Sequence, residues 1–216
     1  MFFFKKYHTL LFTGFRIFLF LLSIIFINSP ISIITLSFFY YAAFTGWHES
    51  VHKDFNPAGF SLNKLIGVIN MVPLIIFNYR SKLIQHLNHH LYTNDPLKDP
   101  DYKTNNLFFS KNIIFYRKSE LKRNIVDYLE IILKVIFLAI IYKFWISNFL
   151  IINFLISYIL GNLFAHLVIN ILPHFKTKSK YGRDFRSLKI FNLLLLGNNL
   201  HGSHHRSPTK TWWEFI

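Results

Sequence analysis

The sequence predicts an all-α membrane protein of four transmembrane helices, arranged as two hairpins with a cytoplasmic histidine-rich cap, in one domain over residues 1–216. Three observations predict it. Of the 216 residues 52% are apolar and 19% aromatic, with 26 Phe, far above a soluble domain's share. Two long stretches carry no charge, and each is broken by a turn signal. All the Lys and Arg residues except Lys134 and Lys143 fall in the segments that stay on the cytoplasmic side.

The first charge-free stretch runs from Ile17 to Trp47 and is interrupted by Asn28-Ser29-Pro30. Its arms, 10–27 and 31–47, are each about long enough at 1.5 Å per residue to cross a hydrocarbon core of about 30 Å. Lys5 and Lys6 before the first arm resemble the start of a signal peptide, but no small-residue cleavage pattern precedes the second arm, so an uncleaved anchor is expected. The second stretch, Phe144 to Phe175, follows the apolar run Val135–Tyr142, with Ser147-Asn148 as the turn. This gives spans at 125–146 and 149–172. The first of these carries Asp127, Glu130 and Lys134, and Glu130 and Lys134 stand at the i,i+4 spacing of an ion pair. Between the hairpins, 65–77 is apolar but short and holds Gly67 and Pro73, which suits a re-entrant or interfacial segment.

Three Lys and Arg lie in the first 16 residues, eleven between Lys53 and Arg123 and eight after Pro173. The two outer turns hold none and one, Lys143. Both termini and the central segment are therefore expected on the cytoplasmic side. The formal charge of +14 then reflects topology and contact with anionic lipid rather than nucleic-acid binding. Trp212 and Trp213 are expected at the headgroup level.

There is no Cys, so disulfides, thiolate metal sites and cysteine nucleophiles are excluded and metal chemistry must use His or carboxylate. Eight of the eleven His fall in three groups: His48 and His52; His86, His89 and His90; His201, His204 and His205. On a helix, positions i, i+3 and i+4 share a face, so each group is expected to aim its imidazoles at one point. All three groups fall on the cytoplasmic side. The string HESVH at 48–52 also matches a zinc-protease motif with Glu49 as general base, but zinc hydrolysis needs only three protein ligands and leaves five clustered His unused. Eight or nine nitrogen ligands suit two ions, and imidazole alone does not choose the metal.

Two positions compete as a ninth ligand. His48 and His166 lie equally far beyond their outer turns, at Pro30 and Asn148, whereas His174 lies about 12 Å further along and follows Pro173. This depth argument favours His166, with Asn162 one turn earlier and able to hold a metal-bound water. Asp95, Asp99 and Asp101 follow the second His group, and such carboxylates, like Glu49, can accept the outer N–H of ligand imidazoles. Arg80, shortly before His86, suits a lipid phosphate or a nearby carboxylate. His8 reads as an interfacial residue.

HESVH, then HLNHH followed by YTNDPLKDPD, then NNLHGSHHRSPTKTWW resemble the membrane fatty acid desaturase and hydroxylase superfamily, in its order and with its topology. The resemblance covers nearly the whole chain. It implies two Fe ions, O2, an external electron donor of ferredoxin or cytochrome b5 type, and a long apolar lipid as substrate. Desaturation of a fatty acyl chain is the first expectation. The stretch after HLNHH is also similar to bacterial carotenoid hydroxylases, and Leu172-Pro173-His174 with the later HHRSPTKTWW to carotenoid ketolases, so a carotenoid is the alternative substrate. In the ketolase-like alignment His174, not His166, is the matched position.

Overall fold

The computed structural model describes residues 2–52, 60–102, 125–146, 150–177, 179–185, 188–211 and 214–215, with side chains from Phe12 onward in the first helix and from Asn63 onward in the third. The turn at Ser147-Asn148, the Trp212-Trp213 pair and the His8 side chain lie outside the described residues. The described residues form helices and turns: α1 Phe2–Ile25, α2 Pro30–Val51, α3 Phe60–Met71, α4 Tyr79–Tyr92, α5 Ile125–Ile141, α6 Ile151–Ala165, α7 Leu172–His174, α8 Lys189–Leu194 and α9 His201–Arg206. Two π-helical segments, Tyr142–Ile146 and His166–Ile171, extend α5 and join α6 to α7. The chain divides into two compact units, Met1–Ile76 with Tyr128–Ala165, and Phe77–Asp127 with His166–Ile216.

The first unit is built around α2. Its start is dictated locally: Ser29 accepts a hydrogen bond from the Ile31 backbone N–H, and Pro30 occupies the first turn, where its missing N–H costs nothing. The expected turn at Asn28-Ser29-Pro30 therefore joins α1 to α2. From Thr35 to Val51 almost every α2 side chain is buried, because α1, α3 and α6 pack around it. Small residues let the backbones approach. A Cβ on Gly161 of α6 would overlap the Ser37 carbonyl oxygen of α2, and one on Gly46 would overlap the Asn70 amide of α3. Glu130 is 1% exposed and is neutralised by Lys134 at 2.7 Å, the expected i,i+4 pair.

The outward faces of this unit are apolar. Phe18, Leu21 and Ile25 on α1, Ile132 and Val135 on α5, and Ile152 and Ile159 on α6 are all at least half exposed. A water-soluble surface rarely carries so many large hydrocarbons on neighbouring faces. The helical run Ile151–His174, 24 residues through the π-helical segment, is long and apolar enough to cross a membrane. The segment 65–77 divides into the second half of α3 and a turn after Met71.

The second unit carries α4, α7, α8 and α9. Asn78 caps α4 by accepting from the Ser81 N–H, and Arg80 in its first turn pairs with Asp127 at 2.8 Å, which fixes Arg80 on a carboxylate. Before α9 the chain turns through Leu196 and Gly197, both left-handed, into the short 3-10 segment Asn198–Leu200. Glycine at 197 adopts that conformation without a Cβ penalty.

Candidate metal centre

Two HxxHH strings become helices, and their imidazoles divide rather than converge. On α4, His86 and His90 face each other, with their Nε2 atoms 3.0 Å apart, while His89 turns to a different set. On α9, His201 and His205 pair, Nε2 to Nε2 at 3.0 Å, while His204 joins His90 at 3.3 Å. The expectation that each group serves one point is thus corrected. Positions i+3 and i+4 flank position i on opposite sides, about 100° from each other, so one string serves two sites.

The second unit therefore presents two sets. His89, His174, His201 and His205 place one ring nitrogen each within 4.8 Å of one another, and all four are buried. His86, His90 and His204 gather in the same way. His48 and His52 belong to the first unit: His48 is buried in the last turn of α2, and His52 caps that helix, with their ring centroids 5.5 Å apart. Glu49 is buried on the same turn.

His174 is the position that completes the four-histidine set. Its Nε2 lies 3.3 Å from that of His89, and its ring packs against His201 and His205. Gly182, at φ 76°, passes so close that a Cβ would meet the His174 ring at 3.1 Å. His166 lies outside both sets: it is half-buried, and its Nδ1 accepts from the Asn170 amide at 3.0 Å. Asn162 donates back to the Tyr158 carbonyl at 2.7 Å, and its Oδ1 has no hydrogen-bond partner among the described residues.

Polar neighbours orient two of the rings. Asp99, 1% exposed, approaches His89 Nδ1 at 2.8 Å and accepts from the Asn94 and Asp101 backbone N–H groups. Its carboxylate accepts, so Nδ1 carries a proton, and in the neutral ring Nε2 is then the lone pair. Thr93 donates its hydroxyl to the His89 carbonyl at 2.7 Å, so its oxygen accepts from His205 Nδ1 at 3.2 Å and leaves His205 Nε2 as a lone pair too. Of the other two acidic candidates, Asp101 holds Gln85 at 2.7 Å and Asp95 caps the turn at Leu97 and Lys98. Burial, and then the imidazoles of His201, His89, His90 and His174, keep the His205 pKa well below the ordinary range.

These sets fit a metal. Within each set, ring nitrogens that can act as lone pairs stand 3.0–3.3 Å apart, close enough to share one cation. Two nitrogens each about 2.1 Å from one ion stand about 3.0 Å apart at a right angle and about 3.4 Å apart at the tetrahedral angle. The observed separations lie within that interval. Imidazole suits iron, zinc, copper and nickel alike.

One supporting residue had no signal in the sequence. Asp184 accepts from the Ser203 backbone N–H at 2.7 Å, from its hydroxyl at 2.6 Å and from Arg206 at 2.8 Å, and so orients the helix that carries the third His group.

The family model described as "Fatty acid desaturase" matches residues 22–152 and 106–215, two overlapping stretches that span most of the chain. The chain belongs to the fatty acid desaturase family, within the membrane desaturase and hydroxylase superfamily. Family membership makes it an oxidoreductase-type protein acting on lipid. Comparison with curated proteins and with solved structures gave no match.

Proposed function

We propose that this chain is an O2-dependent, di-iron oxidoreductase of the membrane that introduces a double bond into a fatty acyl chain. The observation that carries this reading is the division of two HxxHH helices between two imidazole sets, with Asp99 and Thr93 holding the rings as metal-binding tautomers. One ion is assigned to His89, His174, His201 and His205. The other is assigned to His86, His90 and His204, and we assign His48 and His52 to it as well, because the resemblance to the desaturases makes the first His group a ligand group. His166 is left without a ligand role, and Glu49 is assigned to orienting a neighbouring ligand ring.

Bound iron supplies activation of molecular oxygen. The protein's own residues bury the four-histidine set, and Asp99 and Thr93 orient the His89 and His205 rings with Nε2 toward it. In the balanced reaction the acyl chain loses two hydrogens from adjacent carbons, O2 takes these with two electrons and two protons, and two waters leave. A ferredoxin or a cytochrome b5 supplies the electrons. The exposed apolar faces of α1, α5 and α6 support a bilayer setting, in which we place four spans with both termini and the metal centre on the cytoplasmic side.

A carotenoid hydroxylase or ketolase is the second reading, favoured by one observation: His174, the position matched in the ketolase-like alignment, stands in the four-histidine set. An intramembrane zinc hydrolase ranks lower, because it needs too few of the paired imidazoles. Expression in two hosts, one with ordinary lipids and one making β-carotene, separates these readings by mass analysis of both extracts. New double bonds in acyl chains are expected. Unchanged acyl chains with a carotenoid heavier by one oxygen would show hydroxylation, and one that gains an oxygen and loses two hydrogens would show ketolation.

A further inference from the structure

Inside the first unit, α1, α2, α5 and the end of α3 enclose a groove of about 230 Å³. Among the described residues its walls are hydrocarbon, including Phe20, Phe39, Pro73, Ile136 and Phe137, with one polar exception, Arg16. The Arg16 side chain does not reach out to water; the residue is only 6% exposed. Its Nη1 donates to the Asn70 side-chain oxygen, its Nε has no hydrogen-bond partner, and among the described residues no carboxylate pairs with it. A buried guanidinium with one neutral acceptor is strongly disfavoured unless an anion accompanies it. An ionisable side chain in such an apolar setting marks a functional site by default.

The guanidinium is also held in place. Asn70 donates its own N–H to the Ile66 carbonyl at 2.9 Å, which turns its oxygen toward Arg16, and the bare Cα of Gly46 makes room for that amide. The Phe39 ring lies 5.7 Å from the guanidinium carbon. With Nη1 engaged by Asn70, the remaining donors present a fork, the geometry that matches the two oxygens of a carboxylate.

We propose that this groove binds a fatty acid, with its carboxylate on Arg16 and its first carbons among Phe20, Phe39 and Phe137. Charge complementarity and the single polar wall identify the occupant. One guanidinium satisfies a carboxylate, whereas a phospholipid brings a phosphate and two ester groups for which the other described wall residues offer no side-chain donor. The volume holds roughly eight groups of methylene size, judged from the about 30 Å³ that a water occupies. The rest of the chain lies along the exposed hydrocarbon of Ile17 and Ile136 at the groove's edge. The inference goes beyond the oxidation proposed above, since it requires neither metal nor turnover.

Equilibrium binding of labelled palmitate to the full-length protein in neutral-lipid nanodiscs tests it, with methyl palmitate and phosphatidylglycerol as competitors. Arg16→Gln should weaken palmitate binding at least about tenfold, the scale of losing hydrogen bonds to a charged group. Leu133→Trp, which adds bulk to a less exposed wall of the groove and leaves Arg16 intact, should weaken it similarly and keeps the test valid if Arg16→Gln misfolds. Methyl palmitate should compete poorly. Wild-type palmitate affinity in both variants overturns the proposal. So does equal competition by the methyl ester, or Arg16-dependent binding of phosphatidylglycerol in place of palmitate.

Discussion

The Asp99 carboxylate lies 2.8 Å from Nδ1 of His89, and both residues are almost wholly buried. That contact presents the His89 Nε2 lone pair to the set it shares with His174, His201 and His205. Asp99→Asn keeps the shape but replaces a full negative acceptor with a neutral amide. It should lower iron retention and turnover roughly 10–100-fold while the protein still inserts. Iron content and product formation in membranes check this, and wild-type values for both would remove Asp99 from the account.

His174 and His166 make a paired test. His174→Ala removes one nitrogen from a four-nitrogen set and should abolish turnover with loss of bound iron. His166→Ala should leave both intact, since its ring is engaged with Asn170 outside the sets. His204→Ala should behave as His174→Ala, and His8→Ala should have no effect. Insertion depends on apolar spans rather than on one imidazole, so membrane levels should stay constant across the series.

The sequence made the three His groups, the helices that bear them and the family legible, because i, i+3 and i+4 spacing is a local property. The choice between His166 and His174 was not local. The depth argument assumed a uniform α-helix ending near Pro173, whereas the chain runs through a π-helical segment at His166–Ile171 and carries Pro173 within α7. Wider turns change both the rise and the facing of every later residue. Asp99 could be named among three acids but not singled out, and Asp184 reaches Ser203 across 19 residues of chain. Arg16 counts in the sequence only as one of three basic residues in the first 16, next to the charge-free stretch that begins at Ile17, and its burial depends on α2, α3 and α5, which local sequence does not report.

Acidification should weaken the fold of the metal-free protein. The His205 pKa is held low, so the folded state takes up that proton at a lower pH than the unfolded chain, whose imidazole titrates near about 6.5. Below that value the unfolded state binds more protons, and stability falls as pH falls. Thermal unfolding in detergent should move to lower temperature between about pH 7.5 and about pH 5. An unchanged midpoint would mean that the imidazoles are not buried in neutral form.

Packing of α6 on α2 depends on Gly161. Gly161→Ala places a methyl group against the Ser37 backbone oxygen, which cannot rotate away, and should destabilise by about 1–3 kcal/mol. Thermal unfolding of the variant at constant pH measures this, and a gain in stability would contradict the close approach.

The central claim is that the paired imidazole sets hold two irons, and metal content tests it most directly. Full-length protein purified from cells supplied with both iron and zinc should carry about two irons per chain, as two imidazole-rich sites imply. His204→Ala and His174→Ala should each reduce that number. About two zinc ions per chain with peptidase activity, or no bound metal at all, would contradict it.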